Sequence, residues 1–189
     1  CSRCRGRWPR STCGDDSVCL AGLWRAGLPV LRSTEPAQLA GARTSGCYPL
    51  APYSNRLGYR RFQWKGRHYQ TLANVDAEPH SLHGVGWRRA WQTVSASDDR
   101  AVLEVTNPGD GDWPFGVHVE QVFELTPGAL RVTMTATNID SRSAPMGLGW
   151  HPYFPKRQRS RLHVEVAGRW ESDAQKLPVR CVPQPGIDA

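Results

Sequence analysis

The sequence contains no apolar segment approaching the roughly 20 consecutive residues that a membrane-spanning helix needs, so we expect no membrane contact. Its basic start is followed by no apolar run with a cleavage site, which favours a cytoplasmic protein without a secretory signal. Long stretches with the apolar period of an amphipathic helix are missing as well. Short apolar runs separated by turn residues remain, and this texture predicts an all-β fold.

Lysine is also scarce, although the net charge is +7. Lys65, Lys156 and Lys176 are the lysines among the 24 basic residues, and the arginines are spread along the whole chain. The densest run, K-R-Q-R-S-R at 156–161, has no aromatic residue on which a base could stack. We therefore interpret it as a solvated loop and expect no nucleic-acid partner.

The cysteine pattern lacks a second close pair of ligands. Four of the six cysteines lie in the first 20 residues, namely Cys1, Cys4, Cys13 and Cys19. The first two have the spacing of a zinc knuckle, but the other two are too far apart to complete it, so we expect no metal site. Cys47 and Cys181 are isolated, as expected of thiols in a reducing compartment.

The chain changes character near residue 20. Residues 1–20 show no apolar period, and we expect no regular structure there. Residues 21–189 are predicted to form a β-sandwich domain. Its clearest element is a hairpin around Pro127-Gly128, because apolar and polar residues alternate over 117–125 and again over 130–137. Shorter strands are predicted at 60–71, 88–96, 100–106 and 161–167. His118 and His163 are interpreted as sheet-face or surface histidines.

Three polar segments fall between the predicted strands, where binding groups usually lie. The first, L-A-P-Y-S-N-R-L-G, ends near Arg56, whose five donors suit an oxygen-rich ligand or a carboxylate that pins the loop. The second, H-S-L-H-G-V-G-W, holds His80 and His83, which lack a third ligand at metal-binding spacing. The third, G-L-G-W-H-P-Y-F, places His151 among aromatic rings, either as a proton-transfer group or as a structural histidine.

In this order the three segments, together with T-N-I-D at the end of the hairpin, resemble the aldose 1-epimerase family. The resemblance runs from about residue 21 to about residue 184. It implies an antiparallel β-sandwich of the galactose mutarotase-like type that interconverts the α and β anomers of a small-molecule sugar without a cofactor. Arg56 is then the substrate-binding arginine, His83 an active-site histidine and His151 the general acid.

Further sugar contacts are predicted beside these residues. Asn55 precedes the arginine and is expected to contact the substrate with it and with His83. Trp87, Trp150 and Tyr153 are candidate platforms for the C–H face of the sugar, or alternatively core aromatics.

The sequence departs from the family near its end. The general base of the family is a glutamate close to the C-terminus, and no acid in a comparable context follows His151 among Glu165, Glu171, Asp173 and Asp188. We therefore expect a sandwich that is incomplete at the C-terminus, impaired in catalysis and prone to self-association through uncovered strands. A non-catalytic carbohydrate-binding protein and a hexose-6-phosphate 1-epimerase remain alternatives, and no oligomeric state is indicated.

Overall fold

A computed structural model describes residues 4–5 and 19–188 of the chain. The irregular segment expected over 1–20, including Cys1 and Cys13, lies almost wholly outside the described residues. The chain divides into two compact units, Cys1–Pro155 and Lys156–Ala189. No helix within the described residues has the length and apolar character needed to cross a membrane.

The described residues of the first unit form strands and three short 3-10 helices. The helices are Pro36–Gln38, Ala42–Thr44 and Gly58–Arg60. The strands are β1 (Cys4–Arg5), β2 (Trp24–Arg25), β3 (Leu28–Pro29), β4 (Cys47–Leu50), β5 (Arg56–Leu57), β6 (Arg61–Trp64), β7 (Arg67–Gln70), β8 (Ser81–Leu82), β9 (Gln92–Ala96), β10 (Arg100–Pro108), β11 (Gly116–Leu125), β12 (Leu130–Asn138) and β13 (Gly149–Pro152). This strand-rich architecture confirms the predicted all-β class.

A four-stranded antiparallel sheet with the order β12-β11-β10-β9 forms the frame of this unit. The hairpin predicted around Pro127-Gly128 is confirmed: β11 and β12 pair from Leu125 and Leu130 to Val117 and Asn138. The apolar positions of β11 point into the core, whereas His118 lies on the other face beside Thr106. The alternation of side chains along a strand therefore gave the correct face for this histidine.

Two of the predicted strands take a different form. Residues 60–71 make a hairpin of β6 and β7 instead of one strand, because Lys65 and Gly66 both have positive φ, at 46° and 76°, as a tight two-residue hairpin turn requires. Lys-Gly is a weak turn signal, so the sequence did not reveal this bend. The strand predicted at 88–96 begins only at Gln92.

The largest core cluster packs against the inner faces of β10 and β11. Phe62 of the β6–β7 hairpin stacks on Trp113 with ring centres 5.2 Å apart, and Tyr69 packs on Phe115 at 4.8 Å. Both Trp113 and Phe115 are fully buried. Aromatic packing of this kind holds the hairpin on the sheet.

The edge strand β12 is covered less completely. Its apolar face is only partly buried at Leu130, Val132, Met134 and Ala136. Nearby, Phe154 is 70% exposed. Self-association through uncovered strands was expected, and that expectation stays a prediction.

The second unit consists of two separate strand pairs. Its strands are β14 (His163–Val164), β15 (Gly168–Ser172), β16 (Pro178–Pro183) and β17 (Ile187–Asp188). β15 pairs with β16, and β14 pairs with β17. The strand predicted at 161–167 is thus reduced to two residues, and His163 is exposed, as expected of a surface histidine.

Gln121 is a polar exception in the apolar face of β11. Its side chain is fully buried, and neither amide atom has a hydrogen-bond partner in the part of the chain that the structure describes. It lines an apolar cavity of about 280 Å³ that also includes Leu31 and Trp150. A buried amide without partners costs about 1–3 kcal/mol of stability.

We therefore expect Gln121→Leu to raise the free energy of unfolding by about 1–3 kcal/mol, because the substitution removes the unpaired amide. Thermal and urea unfolding would measure the change. Gln63→Leu, at an exposed position of β6, is the matched control and should alter stability by less than about 0.5 kcal/mol. A clear loss of stability in Gln121→Leu would contradict the prediction.

Candidate active site

The pairing of β4 with β13 positions the first site residues. In this antiparallel pair Tyr48 lies directly opposite His151, so both side chains project from the same face. Their rings stack with centres 4.6 Å apart. Tyr153, two residues further along, lies 4.8 Å from the ring of His151 on the same side. The aromatic surroundings expected from W-H-P-Y-F are therefore present, with Tyr48 as an additional member.

His83 reaches the site on a separate loop. β5 and β8 pair through Arg56 and Leu82, and the amide of His83 donates to the carbonyl of Asn55 at 2.9 Å. A bridge between Ala51 and Gly84 then joins this loop to the end of β4. The imidazole of His83 is held 5.4 Å from that of His151, in an edge-to-face arrangement.

Gly84 makes this approach possible. Its φ is +69°, and a Cβ atom at this position would lie 2.1 Å from the carbonyl oxygen of Ala51. Only glycine avoids both the steric clash and the cost of a left-handed backbone. The glycine that follows His83 is therefore needed so that two backbone segments can touch beneath the site.

Arg56 borders the site beside a carboxylate. Its Nε donates to Oε1 of Glu78 at 3.3 Å, and a terminal nitrogen lies 3.4 Å from Oδ1 of Asn55. The side chains of Arg56 and Glu78 are both mostly buried. This ion pair orients the guanidinium, which keeps further donors for a ligand.

Aromatic rings and a further arginine, Arg32, border the histidines. Trp87 is buried, and its ring centre lies 5.9 Å from Tyr48 and 6.5 Å from His83. The guanidinium carbon of Arg32 lies 3.7 Å above the ring of Tyr153, and Nε of Arg32 donates to the carbonyl of Ser45 at 2.9 Å. A cation over an aromatic face is attracted by the ring electrons, so Arg32 is anchored from both sides.

Burial and positive charge lower the pKa of both histidines, which favours their neutral forms. Burial lowers the pKa of His83 to about 4, and the charges of His151, Arg56 and Arg43 act in the same direction. The pKa of His151 is also lowered, chiefly by burial and further by Arg32, against an opposing contribution from the backbone of His151 itself. Nδ1 of each ring is buried and has no hydrogen-bond partner among the described residues.

The other predicted residues are placed in two ways. Asn55 and Tyr153 lie beside Arg56 and His151, whereas the ring of Trp150 packs 6.3 Å from Phe123 in the apolar interior. Trp150 and its neighbour in sequence, His151, alternate along β13, which explains why they point to opposite faces. Sequence reasoning missed Tyr48 and Arg32 as site residues. The only sequence signal was that Tyr48 lies just before the first polar segment and Arg32 just after β3.

His80 has a structural environment. It is fully buried, and its Nδ1 accepts a hydrogen bond from the amide of Tyr59 at 2.8 Å. No cluster of His, Cys, Asp and Glu residues within the described ranges could hold a metal ion. The two histidines of H-S-L-H therefore have different environments.

Comparison with known proteins agrees with this geometry. The sequence model of the aldose 1-epimerase family matches residues 20–186. The chain belongs to the aldose 1-epimerase family. YphB, an uncharacterised protein of Escherichia coli strain K12, is 40% identical over 164 residues, which cover 86% of this chain and 54% of YphB. The chain thus spans about half the length of this relative.

Solved structures support the same family and fold. A structure from Escherichia coli K12, provisionally assigned as an aldose 1-epimerase, is 37% identical to this chain and matches it with a TM-score of 0.82. The match covers 90% of this chain and 57% of the other. Galactose 1-epimerase from Lactobacillus acidophilus shares 16% identity with a TM-score of 0.70, covering 89% of this chain and 53% of its own. At that identity the likeness concerns the fold alone. The predicted galactose mutarotase-like class is confirmed.

Gly84→Ala should destabilise the site and the fold. We expect a loss of at least about 2 kcal/mol in the free energy of unfolding, because the new Cβ atom clashes with Ala51 and a left-handed backbone disfavours alanine. Urea unfolding would measure it. Gly128→Ala, in an open turn where a Cβ atom meets nothing, is the control and should have little effect. Equal stability of the two variants would contradict the proposed close approach.

The low pKa of His83 predicts a pH dependence. The unfolded chain binds a proton at this residue below about pH 6.5, whereas the folded chain binds it only near pH 4, so the free energy of unfolding should fall as the pH is lowered through that window. NMR titration of the imidazole should give a midpoint close to 4. His83→Asn should flatten the fall in stability. A midpoint near the ordinary value would show that the ring is solvated.

Proposed function

We propose that this chain is an aldose 1-epimerase homologue that interconverts the α and β anomers of an aldose by acid–base opening of the sugar ring. The observation that carries the proposal is the meeting of Arg56, His83 and His151 from three distant segments, with the two imidazoles 5.4 Å apart. An isomerase-type activity also agrees with membership of the family.

His151 is proposed as the general acid. Opening of a cyclic hemiacetal requires one group to protonate the ring oxygen while another removes the proton of the anomeric hydroxyl. An imidazolium can supply the first proton near neutral pH. Because its pKa is lowered, His151 is protonated in only a minor fraction of molecules at pH 7, and a negative charge brought close to it would increase that fraction.

His83 and Arg56 are proposed to bind the sugar. A neutral His83 can accept or donate one hydrogen bond at a hydroxyl group, whereas Arg56 donates to ring or hydroxyl oxygens. Tyr153, and with it Tyr48, offers an apolar face to the C–H side of the ring. Fixing the sugar between these groups would aim its ring oxygen at His151.

The proposed activity is limited because no general base is assigned among the described residues. Among the described residues Glu78 is the carboxylate that pairs with a site residue, and its partner is Arg56. We therefore propose that catalysis by this chain is impaired. Loss of a positioned base typically costs a factor of about 10²–10⁴ in rate.

Polarimetry on freshly dissolved α-glucose or α-galactose tests the acid assignment. We expect a weak acceleration over the buffer rate that His151→Ala abolishes, because the proton donor is removed. The acceleration should increase as the pH falls from about 8 to about 6, since the protonated fraction of His151 increases. His118→Ala, on the outer face of β11, is the matched control and should keep the rate.

Two outcomes would contradict this assignment. Full activity in His151→Ala would exclude His151 as the acid. Sugar-dependent tryptophan fluorescence without any catalysed change in optical rotation would favour the second candidate, a non-catalytic carbohydrate-binding protein. The engagement of Glu78 by Arg56 is the observation that favours this alternative.

A further inference from the structure

A second cavity shares the ring of Trp87 with the candidate site. Its volume is about 480 Å³, and it is lined by residues 40–44, Trp87 and Arg88. The ring of His83 lies 6.5 Å from that of Trp87. A ligand whose ring lies against the two histidines could therefore place one of its substituents in this cavity.

Two arginines of this cavity have no acidic partner. The guanidinium carbons of Arg43 and Arg88 lie 5.5 Å and 5.9 Å from the ring centre of Trp87. Neither forms an ion pair with a carboxylate in the described part of the chain, whereas the nearby Arg89 pairs with Asp110 and Asp112. The two guanidinium groups thus have donors available for a ligand.

Positive charge predominates around the whole site. The charges of Arg43 and Arg56 lower the pKa of His83, and the charge of Arg32 lowers the pKa of His151. Glu78 is the carboxylate that contacts this group among the described residues, and it offsets one charge. A neutral sugar would leave the excess in place, whereas an anionic group would offset it and would favour the charged form of His151.

We propose that the cavity lined by Arg43, Trp87 and Arg88 binds the anionic substituent of a sugar whose ring lies against His83 and His151. The inference rests on the proposed function and specifies its substrate class: an aldose that carries a phosphate or a carboxylate group away from the anomeric carbon. Arginine suits both groups, because its planar fork matches two of their oxygens at once.

Binding measurements on the whole chain test this without requiring catalysis. Isothermal titration with glucose 6-phosphate, glucuronate, glucose and inorganic phosphate would compare the sources of negative charge. We expect the better of the two anionic sugars to bind at least about tenfold more tightly than glucose, because each charge-assisted hydrogen bond strengthens binding by about that factor or more. The preference should decrease as salt is raised from about 50 mM to about 500 mM.

Substitutions localise the effect. Arg43→Gln and Arg88→Gln should each weaken binding of the anionic sugar about tenfold. Arg88→Gln, which lies outside the histidine site, should leave binding of glucose unchanged. Arg67→Gln, an exposed arginine on β7, is the matched control and should change neither affinity. Thermal unfolding of each variant would verify that it folds as the parent chain does.

The outcomes separate this inference from the proposed function. Equal affinity for glucose and both anionic sugars, or no effect of the two variants, would overturn the anionic subsite while leaving an aldose site in place. Inorganic phosphate binding as tightly as glucose 6-phosphate would also overturn it, because the sugar ring would then contribute nothing. Absence of binding by every sugar would reject both the subsite and the proposed function.

Discussion

The carbonyl oxygen of Ala51 is the point at which the site is assembled. It accepts hydrogen bonds from the amides of Val85 and Gly86, at 2.7 Å and 2.9 Å, and so fastens the His83 loop to the end of β4. The same strand pairs with β13, the strand that carries His151. One short strand therefore fixes both imidazoles relative to each other.

The electrostatics of the site follow from that assembly. Aromatic rings partly shield the histidines from water, and arginines lie nearby, so both effects favour the neutral imidazoles. A negative charge brought close to either histidine would favour its protonated form.

The fold was predictable where local signals were strong. The β11–β12 hairpin followed from strict alternation and from Pro127-Gly128, and the structure has it within one residue. The β6–β7 hairpin was missed because Lys65 occupies a left-handed position that its residue type does not announce. Gln121 is a polar residue at a position of β11 where the alternation predicts an apolar one. In the structure its side chain still points into the core, where its amide has no hydrogen-bond partner among the described residues.

The sequence by itself determined the strand class, the family resemblance and the identity of Arg56, His83 and His151 as site candidates, because alternation and short motifs are written in neighbouring residues. Only the tertiary structure decided that Tyr48, Arg32 and Arg43 join them and that Trp150 does not. Those contacts link segments far apart in the chain, and they depend on strand register and on backbone approach at Gly84. Neither the strand register nor this backbone approach can be deduced from the order of residues alone, because both are set by how the strands pair in the folded sheet.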